Sequence, residues 1–518
     1  MQLIICEKPN VARKMAKALN DSGQVKEFKK GKVSYYLISH KGNKAYVASA
    51  VGHMFSLVSK RRVRTYPVYD VEWRPTPEVN PEAKYMIPYL EVLRKLAKET
   101  DEYVSACDYD IEGSLIAWNI IRFICNSSTG RRMKFSALTD KDLRDAYEDM
   151  TELDYANSAA GEARHILDWL YGINLSRGLM HSMAYYGYRK SLSIGRVQGP
   201  ALAILAKREL KIKEFKPEKY WELWAKAKNI RFLHKHGRFK KKQEVEERLA
   251  HCSRNKEKAL VKDVQKKKRR ISPNPPFDLT SLQVEAYRVF RFSPAQTLNL
   301  AQTLYENSMI SYPRTSSQKL PSRLDHKGIL MRLAKLQDYK ELAESLLSAK
   351  RLKPHEGRKE DPAHPAIHPL GYVTKLDKNA MKLFDLIVKR YLACFAESAK
   401  REDQKVILDI AGEEFFADGT RITELGWMRF YKPYNRKEKK ELPEFKQGDR
   451  LKVRLGIDEK ETQPPKRFTP ASIISELEKK KLGTKATRSV VIETLYKRGY
   501  ITGRQIHVTE FGLAIYNS

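Results

Sequence analysis

The segment Ile310-Ser311-Tyr312-Pro313-Arg314-Thr315-Ser316-Ser317 pairs a phenol with a guanidinium two residues on. Pro313 biases Tyr312 toward an extended backbone, so the phenol is expected on a turn or loop. A phenol has a pKa of about 10, so near neutral pH it acts as a nucleophile only beside a cation or a metal-ordered site. Arg314 can supply that charge and can clamp a phosphate. A second constellation, Asp108-Tyr109-Asp110-Ile111-Glu112-Gly113, is acidic. On an extended segment, side chains at i and i+2 share a direction, so Asp108, Asp110 and Glu112 are expected to aim at one point. Carboxylates crowded in this way call for a cation, and hard oxygen ligands favour Mg²⁺. Glu7 and Lys8 form a third candidate pair. Each stretch alone has a plain reading, a loop tyrosine or a solvated acidic turn capping a helix. Acidic residues at two separate strand ends weigh against the plain reading.

The elements that must position these groups are legible in outline. Residues 2–6 form an apolar strand ending on Glu7-Lys8-Pro9, and Val11, Met15 and Leu19 mark an amphipathic helix after it. Tyr35–Ile38, Lys44–Val51 and Tyr103–Cys107 read as further strands, the last running into Asp108 and then a helical run at Leu115–Ile121. In an α/β sheet the carboxyl ends of strands are where ligands bind. A helix over 296–305 is expected to deliver Tyr312. Residues 140–215 read as helical, with Ser193-Ile194-Gly195-Arg196 as a turn before a helix from Pro200. Alternating tracts at 220–225, 405–410 and 450–455 are expected to be strands flanking a helical block at 276–400, which Thr280 or Ser281 would cap at its first helix. Near the end, two helices joined by Lys481–Arg488 and followed by Gly499-Tyr500-Ile501 suggest a winged-helix-like unit.

Composition narrows the partner. The chain has 518 residues, with 98 Lys and Arg against 63 Asp and Glu, a net charge of +35 and a pI near 9.7. That length calls for several domains and that charge for a polyanion. A membrane surface is disfavoured, since no run of about 18 apolar residues occurs. Residues 231–270 carry 16 Lys and Arg against 5 Asp and Glu, expected as a solvated face or mobile arm that attracts DNA nonspecifically. Cys6, Cys107, Cys125, Cys252 and Cys394 are scattered with no CxxC pair, which suggests a reducing compartment and no zinc site. His364 and His368 stand four apart, but Pro365 and Pro369 oppose a helix, so a zinc pair is rejected. No GxxxxGK[ST] nucleotide loop is present.

Glu7 after the first strand, with Asp108-x-Asp110-x-Glu112 after a later one, resembles a Toprim domain. Together with Ile310–Thr315 the chain resembles a type IA DNA topoisomerase, most of all an archaeal topoisomerase of the I/III group. Further segments share the resemblance in the same order: Ala163–Asp168, Ser193–Pro200, Ala363–Pro369 and Gly483–Arg488. The resemblance implies a multidomain α/β plus α plus β fold arranged as a torus. Its expected parts are a Rossmann-like Toprim domain at 1–155, and a discontinuous helical, winged-helix-like DNA-binding domain at 156–216 and 466–518. A β-rich hinge domain is expected at 217–275 and 401–465, and a helical domain carrying Tyr312 at 276–400. It also implies Tyr312 as nucleophile, with Arg314, Lys8 and Glu7 assisting, and Mg²⁺ held by Asp108, Asp110 and Glu7, with Glu112 as ligand or organiser. Arg164, Asp168, Arg196, Gln198, His364, Lys485, Thr487 and Arg488 are the implied DNA contacts. Ile111 and His368 stand where many bacterial members have arginine, which puts a phosphate contact at 111 in question.

The implied substrate is single-stranded or negatively supercoiled DNA, with RNA as a second candidate. The implied setting is a cytoplasmic, nucleoid-associated monomer aided by a helicase or single-strand-binding protein. The chain ends just after a helix is expected to begin, so a zinc-ribbon tail of relatives lies outside it. Two competing readings remain open: a Toprim nuclease that uses metal without a covalent step, and a basic single-strand-binding scaffold.

Overall fold

The computed structural model describes residues 1–21, 24–61, 65–185, 187–188, 191–254, 259–349, 352–436 and 440–518. The first unit contains β1 (Gln2–Cys6), α1 (Pro9–Leu19), β2 (Lys26–Lys30), β3 (Val33–His40), β4 (Asn43–Ser49) and the hairpin β5 (Phe55–Ser59) and β6 (Val71–Pro75). It continues with α2 (Thr76–Val79), α3 (Ile87–Ala97), β7 (Glu102–Ala106), α4 (Ile111–Phe123), β8 (Arg131–Arg132), α5 (Asp140–Glu148) and β9 (Thr151–Glu152). Its sheet runs β2-β3-β4-β1-β7-β8-β9, and the centre, β4-β1-β7-β8, is parallel. β1 shows why a parallel sheet needs cover on both sides. Ile4 and Cys6 join the cluster of Val11, Met15 and Leu143 on α1 and α5, while Leu3 and Ile5 join Leu93, Leu96 and Ile120 on α3 and α4. Each fully buried aliphatic side chain favours the fold by roughly 1.5–3 kcal/mol, so the alternation fixes the register of the strand.

The long helix α6 (Tyr155–Tyr185) and α7 (Gln198–Lys213) follow. A second seven-stranded sheet, antiparallel throughout, takes the order β15-β12-β13-β14-β11-β10-β16. Its strands are β10 (Lys219–Ala227), β11 (Ile230–His234), β12 (Ala259–Ile271), β13 (Ala399–Ile410), β14 (Glu413–Glu424), β15 (Arg450–Leu451) and β16 (Arg454–Glu461), with α8 (Lys242–Ser253) packed on it. The expected strand at 450–455 is thus two strands, broken at Lys452 and Val453. The basic run 231–270 builds β11, α8 and β12 rather than an arm; its last stretch, Lys267–Arg270, is the solvated face expected of it. Residues 255–258 of that run lie outside the described residues.

Between β12 and β13 the chain makes a helical block of α9 (Leu279–Phe290), α10 (Pro294–Glu306), α11 (His326–Leu333), α12 (Lys340–Leu347) and α13 (Lys378–Phe395). α13 is its axis, with Leu383, Phe384, Ile387 and Tyr391 among its buried residues. The cap of α9 is Asp278, in a capping box with Ser281, and not Thr280 or Ser281 itself. Trp427, Met428, Phe430, Tyr431 and Tyr434 pack into this block, so this part of the 401–465 piece expected to be β-rich does not follow that assignment. α14 (Pro470–Lys479), α15 (Arg488–Lys497), the hairpin β17 (Ile501–Thr502) and β18 (His507–Val508), and α16 (Glu510–Asn517) close a unit with α7 around Leu202, Ile473, Leu477 and Leu495. No helix among the described residues is long and apolar enough to cross a membrane.

Candidate active site

Glu7 and Asp108 come together because β1 and β7 are parallel neighbours paired at Cys6 and Ala106, so the residues leaving both carboxyl ends emerge side by side. Asp110 then caps α4, its Oδ1 accepting from the Gly113 backbone N–H at 2.8 Å. Only glycine fits at 113, since a Cβ there would stand 2.1 Å from the Asp108 carbonyl oxygen. From below, the buried Arg132 donates Nη2 to that carbonyl at 2.7 Å and Nη1 to Ser105 Oγ at 2.5 Å. The turn is therefore held by a helix cap, a close backbone approach and a buried cation.

Tyr312 arrives from the helical block. It follows α10 on an irregular segment, as Pro313 required, and its backbone N–H donates to the Ser136 carbonyl at 2.8 Å. The ring is 1% exposed, and its hydroxyl donates to Asp110 Oδ2 at 2.7 Å. Burial, then the charges of Asp110 and Asp108, push its pKa well above the usual phenol value. Tyr305 and His364 pack on the ring with centroids 5.2 and 4.6 Å away. His364 Nε2 lies 2.8 Å from the Tyr109 carbonyl, which can only accept, so that nitrogen carries the hydrogen and Nδ1 accepts from Ser136 Oγ at 2.8 Å. Burial lowers its pKa to about 4, so a neutral imidazole faces the tyrosine near pH 7. His368 is likewise lowered to about 4 by burial and turns to the Ala366 carbonyl. The two histidines serve different partners on an extended segment, which agrees with rejecting a zinc pair.

The cations converge on the same point. Lys8 Nζ lies 3.4 Å from Asp108, 3.7 Å from Glu7 and 3.3 Å from Glu306 at the end of α10. Burial works against its charge, but these carboxylates raise its pKa overall. Arg314 is affected in the same way: burial opposes its charge, and Tyr312, Asp110, Glu7 and Asp108 more than offset it. Its buried Nε has no acceptor among the described residues. A charged donor so placed suits an anion brought between Tyr312 and Lys8. Burial, followed by the Asp108 charge, pushes the Glu7 carboxyl up to about 8, and Asp108 is raised for the same first reason. Glu7 and Asp108, which resist ionising together, with Asp110 beside them are a donor set suited to a hard divalent cation.

The remaining expected residues divide. Glu112 does not share a direction with Asp108 and Asp110, because the segment is not extended: α4 has begun by Ile111. Glu112 instead takes Arg164 Nη1 at 2.8 Å, His53 Nε2 at 2.8 Å and His165 Nε2 at 3.0 Å. Arg164 and Asp168, expected as DNA contacts, make an i,i+4 pair at 3.6 Å, and Arg196 completes it at 2.8 Å from Asp168. Gln198 is buried at the start of α7 and accepts from Arg498 at 2.7 Å, so it braces two helices where a phosphate contact was expected. Thr487 Oγ1 accepts from the Thr484 N–H, and Arg488 donates to the Leu482 and Gly483 carbonyls, both closing the turn before α15. Lys485 pairs with Asp361, which also accepts from Ser316 N and Oγ beside the tyrosine segment. Sequence reasoning missed Glu306, Tyr305, Ser136 and Arg132. Glu306 and Tyr305 sat in plain helix, and Arg132 in a two-residue strand, with no local signal.

Comparison with known proteins bears on this geometry. The DNA topoisomerase family profile matches residues 152–518 and the Toprim domain profile residues 2–138. DNA topoisomerase 1 of Methanocaldococcus jannaschii is 45% identical over 99% of this chain and 67% of its own length. The Pyrococcus horikoshii protein of the same name is 43% identical over 99% of this chain and 76% of its own. Full-length topoisomerase I from Thermotoga maritima superposes with a TM-score of 0.74, covering 99% of this chain and 82% of that one at 24% identity, a likeness of fold.

Proposed function

The chain belongs to the type IA DNA topoisomerases, and from that premise we propose that Tyr312 is the nucleophile that opens one DNA strand and holds it by a 5′-phosphotyrosyl bond. The observation that carries the reading is the 2.7 Å hydrogen bond from the Tyr312 hydroxyl to Asp110, which joins a nucleophile from one block to the carboxylate turn of another.

In this reading the site works as follows. Tyr312 attacks a backbone phosphorus, and Asp110 Oδ2 is the base within reach of its proton. Arg314 and Lys8 stabilise the charge that develops on the phosphoryl oxygens, and Lys8 gives a proton to the departing 3′-oxygen. Neutral His364 packs on the Tyr312 ring and, through Ser136 and the Tyr109 carbonyl, sets its place between the two blocks. Glu7, Asp108 and Asp110 would hold Mg²⁺, which when bound supplies charge that orders the 3′ end for rejoining. One phosphodiester is exchanged for another, so the bond energy is retained and the chemistry needs no nucleotide triphosphate. The excess positive charge draws in single-stranded or negatively supercoiled DNA as sequence-tolerant substrate. The block carrying Tyr312 then separates from the Toprim unit to let a second strand pass, the protein acting as a monomer.

The test is a covalent trap. A 3′-end-labelled single-stranded oligonucleotide, quenched with SDS, yields a labelled protein band with the wild type and none with Tyr312→Phe. An adduct that persists in Tyr312→Phe removes Tyr312 as the nucleophile, and strand cutting with no adduct at all removes this reading in favour of a metal-only nuclease.

A further inference from the structure

Glu112 belongs to the acidic motif by sequence but not by position, and what surrounds it is a different kind of ligand set. His53 lies on the turn after β4, where its carbonyl accepts from Thr76 Oγ1 at 2.9 Å. Glu112 is in the first turn of α4, and His165 is on α6. Both imidazole Nε2 atoms point at one carboxylate oxygen, Glu112 Oε2, from 2.8 and 3.0 Å. The three atoms lie within 4.8 Å of one another, and the two rings stand 4.5 Å apart. The other carboxylate oxygen is held by Arg164 at 2.8 Å, which fixes the direction in which Oε2 points.

We propose that His53, Glu112 and His165 form a site for a borderline divalent transition-metal ion, of the Zn²⁺ or Co²⁺ kind, separate from the oxygen-only set of Glu7, Asp108 and Asp110. Two nitrogens and one carboxylate oxygen are the ligands such an ion takes in a four-coordinate site whose last position is open to water. Mg²⁺ prefers oxygen and retains water, so the two sites select different ions by donor type. Hydrogen balance is available within the cluster. His53 Nδ1 is buried with no partner among the described residues, so the hydrogen now on Nε2 moves to Nδ1 as Nε2 turns its lone pair to the ion, and His165 exchanges tautomer in the same way, its Nδ1 taking the hydrogen. The Glu112 carboxylate already accepts from both imidazoles and from Arg164, so its lone pairs are directed into the cluster. Arg164 is the cost, a positive charge near a cation, and it also orients the ligand as outer partners of metal sites do. Ligands from three separate elements mean that a bound ion fastens α4, α6 and the 52–54 turn to one another.

The experiment titrates Co²⁺ into the metal-stripped full chain in excess Mg²⁺ and follows the visible absorption of nitrogen-ligated tetrahedral cobalt. One equivalent is expected to bind. His53→Gln and His165→Gln should each weaken it by about tenfold or more, while Asp108→Asn with Asp110→Asn leaves the signal in place. Circular dichroism establishes that each variant is folded, and His165→Asn replaces any that is not. Absence of the bands in the wild type, their survival in both histidine variants, or their loss in the Asp108 and Asp110 variant overturns the assignment.

Discussion

The helical block that carries Tyr312 meets the rest of the molecule along two seams of opposite character. Toward the Toprim unit the apolar side chains are continuous: Met15, Met133 and Phe135 belong to the same buried cluster as Leu304, Ile310 and Tyr312. Toward the C-terminal unit the two cores are separate, and lysines tie the sides together. Lys359 bridges Asp278 and Glu478 at 2.9 Å each, and Lys485 reaches Asp361. Apolar contact hardly responds to salt, whereas these ion pairs, each joining a partly exposed lysine to a buried aspartate, are screened in part. The chemical seam thus rests mainly on apolar contact, with the Lys8–Glu306 pair beside it, and the seam along the C-terminal unit depends more on ion pairs, which solution conditions loosen.

The contrast can be broken from either side. Phe135→Ala, beside the carbonyl that takes the Tyr312 N–H, should cost about 3–5 kcal/mol of stability, read by denaturant unfolding, with the same loss at low and high salt. Arg314→Ala should slow strand cleavage about 10²–10³-fold with oligonucleotide binding little changed, which single-turnover trapping would show. Lys359→Ala with Lys485→Ala should cost about 2–3 kcal/mol at low salt and less at 1 M salt, where the partly exposed lysines are screened; an equal cost in both would remove the contrast. The smallest effect is with acid. Burial raises the Asp361 carboxyl, but Lys485 and the Ser316 N–H hold it down at about 2. A group depressed in the fold stabilises above its unfolded value of about 4. Protection of the Ser316 amide from hydrogen exchange should therefore fall as pH drops from about 4 toward 2, and Lys485→Ala should move that fall to higher pH.

How much of this was legible in the sequence depended on how local the cause is. Strands β1 and β7, the loop position of Tyr312 and the helix before it follow from period, proline and caps, all short-range. Glu7 beside Asp108 needed one further step, the adjacency of two parallel strands, which the resemblance supplied. Glu112 failed because alternation was applied through a helix start: Asp110 is already a cap, and one turn of helix rotates position 112 toward α6. Gln198 failed because a polar residue at a helix start looks alike whether it meets a phosphate or Arg498. Glu306 and Ser136 could not be found at all, since their roles arise where residues far apart in the chain meet.

The block enters and leaves the second sheet at one place, where Ile271 pairs with Ala399, and Trp427 bonds the Ile271 carbonyl across the junction at 2.9 Å. β12, β13 and β14 behind that point form a three-stranded ribbon whose thirteen-residue strand β12 spans about 40 Å. Mechanically this is a lever with its load at the tip: a bend of about 10° at the root of a span near 40 Å carries the tip about 7 Å. A travel of that size exceeds the reach of a 2.7 Å hydrogen bond. Modest flexing of one ribbon is therefore enough to part Tyr312 from Asp110, with every helix of the block unchanged.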